Sequence, residues 1–166
     1  REMIRLGVIS LDHPHALGNH FPALRYLHDR VNVTPIAHAS REQAQPWLDL
    51  FGATYYTDRD ALLAANDIDA VLITSRNLHH AGDAIAAARA HKDIFCDKPI
   101  AISVEDAQAI AAAVQASGVR FMTTYPVRFN TSVRRVKAMI DAGELGTIQA
   151  IMATNHGCMY EPGEPD

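Results

Sequence analysis

Asp97-Lys98-Pro99-Ile100 is the segment whose residue types are best suited to catalysis or ligand binding. It follows Ile94-Phe95-Cys96, a short apolar run typical of a buried strand. Proline lacks a backbone donor and restricts the preceding residue to extended geometry, so Lys98 is held at the end of that strand. Because open α/β sheets bind their ligands beyond the carboxyl ends of the strands, Lys98 is a candidate catalytic residue. The alternative is a solvated lysine in front of a turn.

A second polar group follows the first apolar run, Ile4 to Ile9. Turns between a strand and a helix bind diphosphates when glycines at three spaced positions let the backbone approach. Here those positions hold Ser10, Asp12 and His15. A carboxylate about 4 Å from a phosphate charge would cost roughly 1 to 4 kcal/mol, depending on the dielectric. His13 and His15 could offset this cost by protonation or hydrogen bonding, or they could simply cap and pack the first helix.

The elements that would position these residues alternate along the chain. Strand-like apolar runs are separated by helical patterns, which is the signature of a parallel sheet with helices on both faces. The clearest helix is Val104–Ser117, with Ser103 as its N-cap, Gly118 after its last turn and Ala111 on its core-facing stripe. The sequence thus predicts an α/β fold, a doubly wound parallel sheet of the Rossmann type, over residues 1–124. The predicted strands are Ile4–Ile9, Val31–Ala37, Ala70–Thr74, Asp93–Cys96 and Val119–Thr124.

The pattern changes near Tyr125. A helix that ends at Gly143 and Gly146 is followed by an alternating run, Thr147 to Thr154, which predicts a strand. A polar, proline-rich segment completes the sequence. We therefore expect residues 125–166 to be the beginning of a second, α+β domain, of which the chain contains only a small part.

Composition excludes several classes of function. The 166 residues carry a net charge of −4 and include no run rich in lysine or arginine, so nucleic acid is not expected as a partner. No apolar stretch is long enough to cross a membrane. The cysteines, Cys96 and Cys158, form neither a CxxC pair nor a secreted-type framework, and no signal peptide is evident. A cytoplasmic location is therefore the expectation.

Five segments occur in an order that resembles one known family. They are the opening strand, Asn77-Leu78-His79, Cys96-Asp97-Lys98-Pro99, Tyr125-Pro126-Val127-Arg128-Phe129, and the run from Ala142 to Ile148. Their order and spacing are similar to those of the Gfo/Idh/MocA family of NAD(P)-dependent oxidoreductases. The resemblance implies hydride transfer between nicotinamide and a hydroxyl-bearing carbon of a small-molecule substrate, namely a sugar, a cyclitol or a related polyol. Family members generally oligomerise through their second domain, so a homo-oligomer is open.

The resemblance also implies roles for individual residues. Lys98 matches the lysine of the family's Glu-Lys-Pro motif, next to the nicotinamide ribose and the substrate, with Asp97 in place of the glutamate. Asn77 matches the asparagine of Thr-Pro-Asn-x-x-His in the cofactor groove, where Ser75 replaces the threonine. Arg128 matches the arginine at the start of the second domain. The cofactor contacts expected on this basis are Ser75, Asn77, His79, Asp97, Lys98 and Arg128.

The choice between NAD and NADP is usually made at the end of the second strand, where an acidic residue binds the ribose 2′-hydroxyl. By the family's spacing that place falls on His38, with Ser40 and Arg41 close behind. Without the acid, the site should tolerate a 2′-phosphate, and Ser40 with Arg41 could pair with it. The expected cofactor is NAD or NADP, with a lean toward NADP. The cofactor-binding candidates in the first two turns are Ser10, Asp12, His13, His15, His38, Ser40 and Arg41.

Two other functions stay open. His13-Pro14-His15 after a first strand resembles the His-x-His of metal-dependent hydrolases, in which alternate side chains meet one metal ion, and Asp12, His79 and His80 could join it. Such a barrel needs eight strand–helix units, more than this chain shows, so the sequence leads us to assign no metal site. The second alternative is a degenerate dinucleotide fold that acts as a binding or regulatory module, which the lost glycines favour.

Overall fold

A computed structural model describes residues 3–154 of the chain. The chain divides into two compact units, residues 1–124 and 125–166. Across residues 3–154, no helix is both long and apolar enough to span a membrane.

The first unit is built on a six-stranded sheet whose strands are all parallel. Its strands are β1 Ile4–Ile9, β2 Val31–Ala37, β3 Thr54–Tyr56, β4 Ala70–Ile73, β5 Asp93–Cys96 and β6 Phe121–Thr123. The order across the sheet is β3-β2-β1-β4-β5-β6, so the winding reverses between β1 and β4. This is the strand order of a Rossmann fold, and it confirms the predicted fold class.

Helices begin and end at residues suited to those places. The α-helices of the first unit are α1 Phe21–Tyr26, α2 Arg41–Phe51, α3 Arg59–Leu63, α4 His80–Arg89 and α5 Val104–Ser117. A π-helical turn, Ala16–His20, precedes α1, and a 3₁₀ turn, Asn77–His79, precedes α4. Ser103 accepts the N–H of Asp106 at the start of α5, and Gly118 ends that helix with φ 71°. The prediction for α5 is confirmed at both ends.

The helices cover both faces of the sheet. On one face, α1 and α2 pack on an apolar cluster that includes Val8, Phe21 and Ile36, each 0% exposed. On the other face, α3, α4 and α5 pack on a cluster that includes Leu62 and Val71, also 0% exposed. The carboxyl edge of the sheet, where the predicted site residues of the first unit lie, is left between these two layers.

One detail of the predicted core is wrong. Ile110 on α5 is 1% exposed, as expected, but Ala111 beside it is exposed. The reason is that α5 packs mainly against its neighbour α4, so only a narrow line of α5 meets other described residues. A helical stripe in the sequence indicates which side faces inward, but it does not give the width of the contact.

The second unit consists of a 3₁₀ turn, Pro126–Phe129, and helix α6, Thr131–Asp141. After a turn that contains Gly143 and Gly146, both at positive φ, residues 147–154 form no strand. The predicted strand Thr147–Thr154 is therefore not found. A strand needs a neighbour to pair its backbone N–H and C=O groups, and none of residues 3–154 pairs with this run.

Candidate functional site

The turn after β1 keeps the backbone shape of a glycine turn although it contains no glycine. Ser10 has φ 66°, in the left-handed region that favours glycine. Its carbonyl accepts the Thr74 hydroxyl at 2.6 Å, and its N–H donates to the Ala37 carbonyl at 2.8 Å. The Ser10 hydroxyl donates to Asp12 Oδ2 at 2.7 Å and accepts the Asp12 N–H at 3.1 Å. The turn is thus anchored to the ends of β2 and β4, with the Asp12 carboxylate bound to it.

Three histidines from this turn and the π-helical turn surround the carboxylate of Asp97, which directly follows β5. His15 Nδ1 lies 2.9 Å from Asp97 Oδ2, and His13 Nδ1 lies 3.2 Å from it. His20 Nε2 lies 3.7 Å from the same oxygen, too far for a hydrogen bond. This buried nitrogen has no hydrogen-bond partner among residues 3–154. The structure therefore brings three predicted site residues together and adds His20, which the sequence analysis missed.

Asp97 is 1% exposed, and its other carboxylate oxygen is fully used. Oδ1 accepts the Lys98 N–H at 2.8 Å and the hydroxyl of Thr124, which follows β6. Burial raises the pKa of the Asp97 carboxyl, but the nearby His20 ring, the hydrogen bonds from Thr124 and the Lys98 N–H, and the charge of His15 together lower that pKa by more. The pKa of Asp97 therefore lies well below its ordinary value, and the residue is a buried anion.

His13 is 8% exposed. Burial lowers the pKa of the His13 ring, and His15, Lys98 and His80 lower it further, whereas the Asp97 charge opposes the change. The net direction is downward, so at neutral pH His13 favours the neutral form, which has one ring nitrogen with a free lone pair.

An open cleft of about 350 Å³ lies at the carboxyl ends of β1, β2 and β4, around the point where the winding reverses. Open α/β sheets bind ligands at this place. Arg59 Nη1 lies 2.5 Å from Asp83 Oδ1, so the guanidinium in the cleft wall is already paired. The polar residues that line the cleft are Ser10, Asp12, His38, Thr57, Asp58, Arg59, Ser75, His79 and Asp83.

The segment after β4 presents one polar group without a partner. Asn77 Oδ1 is buried, and none of residues 3–154 donates a hydrogen bond to it. Such an acceptor costs about 1 to 3 kcal/mol unless a ligand or water satisfies it. Ser75, by contrast, donates its hydroxyl to Asp83 Oδ2 at 2.5 Å, and His79 is exposed at the rim of the cleft. Among these three candidates, Asn77 is therefore the one whose side chain is prepared for a ligand.

The buried histidine of this segment is His80 rather than His79. His80 is 0% exposed, with Nδ1 2.6 Å from the Pro99 carbonyl and Nε2 3.0 Å from the Ser75 carbonyl. It connects the end of β4 to the segment that carries Lys98. The helical spacing from His80 to Ala84, which is also buried, is the sequence signal that could have identified it.

Lys98 lies half-buried after Asp97, and its peptide bond to Pro99 is cis. Its backbone N–H donates to Asp97 Oδ1. Within residues 3–154, its ammonium group makes no hydrogen bond or ion pair. The ammonium is therefore available to a molecule bound at this edge of the sheet.

The residues predicted to read the adenosine ribose have other contacts. His38 is 6% exposed; its Nδ1 accepts the Leu11 N–H at 3.4 Å and its Nε2 donates to Gln43 Oε1 at 2.8 Å. Ser40 is the N-cap of α2 and accepts the Gln43 N–H. The Arg41 guanidinium lies 5.3 Å from the centre of an aromatic ring on β3. His38 lines the cleft, but Ser40 and Arg41 are absent from its wall.

Arg128 belongs to the second unit. It lies in the 3₁₀ turn Pro126–Phe129 and is exposed. Together with Arg134 and Lys137 of α6 it lines a shallow depression within that unit. Its role at a cofactor stays a prediction.

Comparison with known proteins gives the chain a family. It matches the model of an oxidoreductase family with an NAD-binding Rossmann fold, GFO_IDH_MocA, over residues 10–125. It is 32% identical over 161 residues to inositol 2-dehydrogenase of Salmonella typhimurium (strain LT2), an alignment that covers 95% of this chain and 45% of the relative. The chain therefore spans less than half the length of this relative.

Two solved structures resemble it over most of its length. The WlbA dehydrogenase from Bordetella pertussis, in complex with NADH and UDP-GlcNAcA, superposes with a TM-score of 0.80 at 26% identity, over 87% of this chain and 44% of that one. KijD10, a 3-ketoreductase from Actinomadura kijaniata in complex with NADP and TDP-benzene, gives 0.77 at 27% identity, over 86% and 43%. In sequence and in fold, this chain belongs to the Gfo/Idh/MocA oxidoreductase family, whose NAD-binding Rossmann domain it contains.

Proposed function

We propose that the protein is an NAD(P)-dependent oxidoreductase that transfers hydride between nicotinamide and a hydroxyl-bearing carbon of a sugar, cyclitol or related polyol. This chain would supply the dinucleotide domain. The observation that carries the proposal is that two polar groups at one edge of the sheet, the Lys98 ammonium and the buried Asn77 oxygen, have no hydrogen-bond partner among residues 3–154. The relatives named as inositol 2-dehydrogenases support the substrate class.

The residues present fit a dinucleotide at this edge. Ser10 gives the first turn the left-handed conformation that the first glycine of the usual fingerprint supplies. Asn77 offers an acceptor for a ribose hydroxyl or amide of the cofactor, which would remove the cost of its buried oxygen. The bound nicotinamide would accept or donate the hydride. Asp12 also lines the cleft, and its charge would oppose the binding of a diphosphate placed beside it.

Lys98 would act on the substrate hydroxyl. Its ammonium would donate a hydrogen bond to the hydroxyl oxygen, orient it, and stabilise the negative charge that develops there as a separate base or water takes the hydroxyl proton and the nicotinamide takes the hydride. The segment that carries Lys98 is fixed from two sides, because Asp97 Oδ1 accepts the Lys98 N–H and His80 contacts the Pro99 carbonyl. This rigidity would keep the ammonium in place through the reaction.

For the choice of cofactor, we infer a preference for NAD(H) over NADP(H). The lean toward NADP depends on Ser40 and Arg41, and both are engaged in contacts away from the cleft. The cleft wall contains three carboxylates, Asp12, Asp58 and Asp83, against one guanidinium that Asp83 already binds. An added 2′-phosphate would meet this negative charge.

Titration of the chain with NADH and with NADPH, followed by calorimetry, tests the proposal. We expect saturable binding that is tighter for NADH, and an approximately tenfold loss in Asn77→Ala, the size of one hydrogen bond. Asn32→Ala is the matched control, since Asn32 is exposed near the amino end of β2, far along the strand from the cleft. A folded chain that binds neither cofactor at millimolar concentration would contradict the assignment and favour a binding module without catalysis.

A further inference from the structure

We propose that His13, His15 and Asp97 form a binding site for a divalent transition-metal ion, with zinc as the best-fitting example. The three side chains come from two places in the sequence, the turn after β1 and the end of β5. One donor atom from each, a ring nitrogen of each histidine and a carboxylate oxygen of Asp97, lies within 4.8 Å of both others.

The distances suit tetrahedral coordination. Zinc binds imidazole nitrogen at about 2.0 to 2.1 Å and carboxylate oxygen at about 2.0 to 2.2 Å, so two ligand atoms of a tetrahedron lie roughly 3.4 Å apart. Asp97 Oδ2 lies 2.9 Å from His15 Nδ1 and 3.2 Å from His13 Nδ1. Two of the three ligand–ligand distances thus lie within about 0.5 Å of the tetrahedral value, and a ring nitrogen of each histidine lies within 4.8 Å of the other, so an ion would have to draw the two rings together.

The hydrogen bonds around His13 leave two electron-rich atoms face to face. His13 Nδ1 accepts the backbone N–H of His15 at 3.2 Å, which makes this nitrogen an unprotonated acceptor. Asp97 Oδ2, a carboxylate oxygen, lies 3.2 Å from it. Two acceptors at this distance repel unless a cation stands between them. A metal ion would replace the long N–H contact with a shorter and stronger bond to Nδ1.

The neighbouring groups support a metal ligand at Asp97. Its Oδ1 is held by Thr124 and by the Lys98 N–H, which fixes the carboxylate so that Oδ2 faces the histidines. Carboxylates that bind metals are typically oriented by such hydrogen bonds. His20 Nε2, buried and without a partner among residues 3–154, lies 3.7 Å from Oδ2 and offers a further nitrogen near the site.

The donor set selects the class of ion. Two imidazoles and one carboxylate suit zinc, cobalt, nickel or ferrous iron, whereas magnesium and calcium prefer oxygen ligands alone. Three protein ligands leave a coordination position for an exogenous oxygen, as in catalytic rather than structural zinc sites. The site does not depend on the proposed function, because it uses neither Asn77 nor the Lys98 ammonium. A chain that binds zinc but no dinucleotide would uphold this inference and contradict the other proposal.

The test is metal titration of the full chain, prepared with chelator and then freed of it. Zinc is added in competition with a chromophoric chelator, and cobalt is added separately, because its visible absorption reports tetrahedral nitrogen and oxygen ligands. His15→Gln is the principal variant, since the His15 side chain is 28% exposed and its loss should leave the fold intact. His13→Gln is the second variant. His28→Gln is the matched control, because His28 is exposed and remote in sequence from the cluster.

We expect one zinc ion per chain, binding weakened by about 100-fold or more in His15→Gln and in His13→Gln, no change in His28→Gln, and no binding of magnesium. Circular dichroism shows whether each variant is folded, and His15→Gln decides the outcome if His13→Gln is not. Zinc that binds equally well to the folded His15→Gln variant, or fails to bind the parent chain at millimolar concentration, would overturn the proposal.

Discussion

Replacing Thr124 by valine tests how much the structure around Asp97 depends on one hydroxyl. Thr124 is 6% exposed, and its hydroxyl donates to Asp97 Oδ1, which accepts two hydrogen bonds from residues 3–154. Hydrogen bonds to charged groups contribute about 1.5 to 3 kcal/mol to stability. Valine has nearly the same shape, so little packing is lost. We expect Thr124→Val to lower the free energy of unfolding by about 1.5 to 3 kcal/mol.

Thr34→Val is the matched control for this prediction. The Thr34 hydroxyl is also buried, but no hydrogen-bond partner for it exists among residues 3–154. Removing it relieves an unsatisfied group and places a residue with high β-propensity in β2, so the variant should be as stable as the parent chain or slightly more stable. The same chemical change is thus expected to have opposite effects at the two positions.

The assay is urea unfolding at pH 7, followed by the fluorescence of Trp47, the single tryptophan, which lies on α2 and contacts Phe21 in the first unit. The midpoint should fall for Thr124→Val and hold or rise for Thr34→Val, with unchanged slopes. Equal losses in the two variants, or a loss under about 0.5 kcal/mol in Thr124→Val, would refute the view that Asp97 is held as a buried anion by this donor.

Two further predictions concern other parts of the first unit. The Arg5 side chain hydrogen-bonds to Asp69 and lowers the pKa of Asp69 to about 2. This contact therefore stabilises the folded chain fully at pH values above the ordinary pKa of the carboxyl, and the stabilisation is lost as the pH falls toward 2. Thermal midpoints of the parent chain and Asp69→Asn should therefore differ at pH 7 and converge near pH 2; a constant difference across that range would argue against the contact. At Ser10, the left-handed backbone costs a non-glycine residue about 1 to 2 kcal/mol. Ser10→Ala and Ser10→Gly both lose the two contacts of the hydroxyl with Asp12, but only alanine keeps the backbone strain. Ser10→Ala should therefore be less stable than Ser10→Gly in urea unfolding. The reverse order would show that the turn is not strained.

The sequence was sufficient for most of the Rossmann sheet because its signals are local. Apolar runs and capping residues lie within a few positions of the elements they define, as Ser103 and Gly118 do for α5. Strand β3, Thr54–Tyr56, is too short for any periodicity to appear. The run Thr147–Thr154 has an alternating pattern, but a pattern supplies no neighbouring strand, and pairing decides whether a strand forms.

The site was less predictable because it depends on contacts between distant parts of the chain. The sequence placed His15 and Asp97 in separate groups, 82 positions apart, and nothing in either segment indicates that they meet. His20 and Thr124 complete the surroundings of Asp97 and were missed for the same reason. For Ser40, the sequence suggested a ligand contact where a local contact is sufficient. A serine before a helix is most often an N-cap, and this role accounts for Ser40 without a bound phosphate.

This chain departs from its family's motifs in the turn after β1 and at the end of β5, and the residues at these two places depend on each other. Loss of the fingerprint glycines suggests, by itself, a weakened dinucleotide site. In the structure, however, the residues at those positions have specific partners: Ser10 binds Asp12, and His15 reaches Asp97. By the resemblance to the family's Glu-Lys-Pro motif, Asp97 stands in the place of a glutamate, and its carboxylate, one methylene shorter, is held close to its own strand by the Lys98 N–H and Thr124.

A glycine at position 15 could make no such contact, and a glutamate at position 97, one methylene longer, would hold its carboxylate at a different place relative to His15. The substitutions in the first turn and at the end of β5 therefore support each other. The losses of unfolding free energy caused by His15→Gln and Asp97→Asn should then not add. The double variant should lose less than the sum of the two single variants, by about 0.5 to 3 kcal/mol, which is the coupling expected for residues in direct contact. Strict additivity in urea unfolding would contradict the coupling between the two positions.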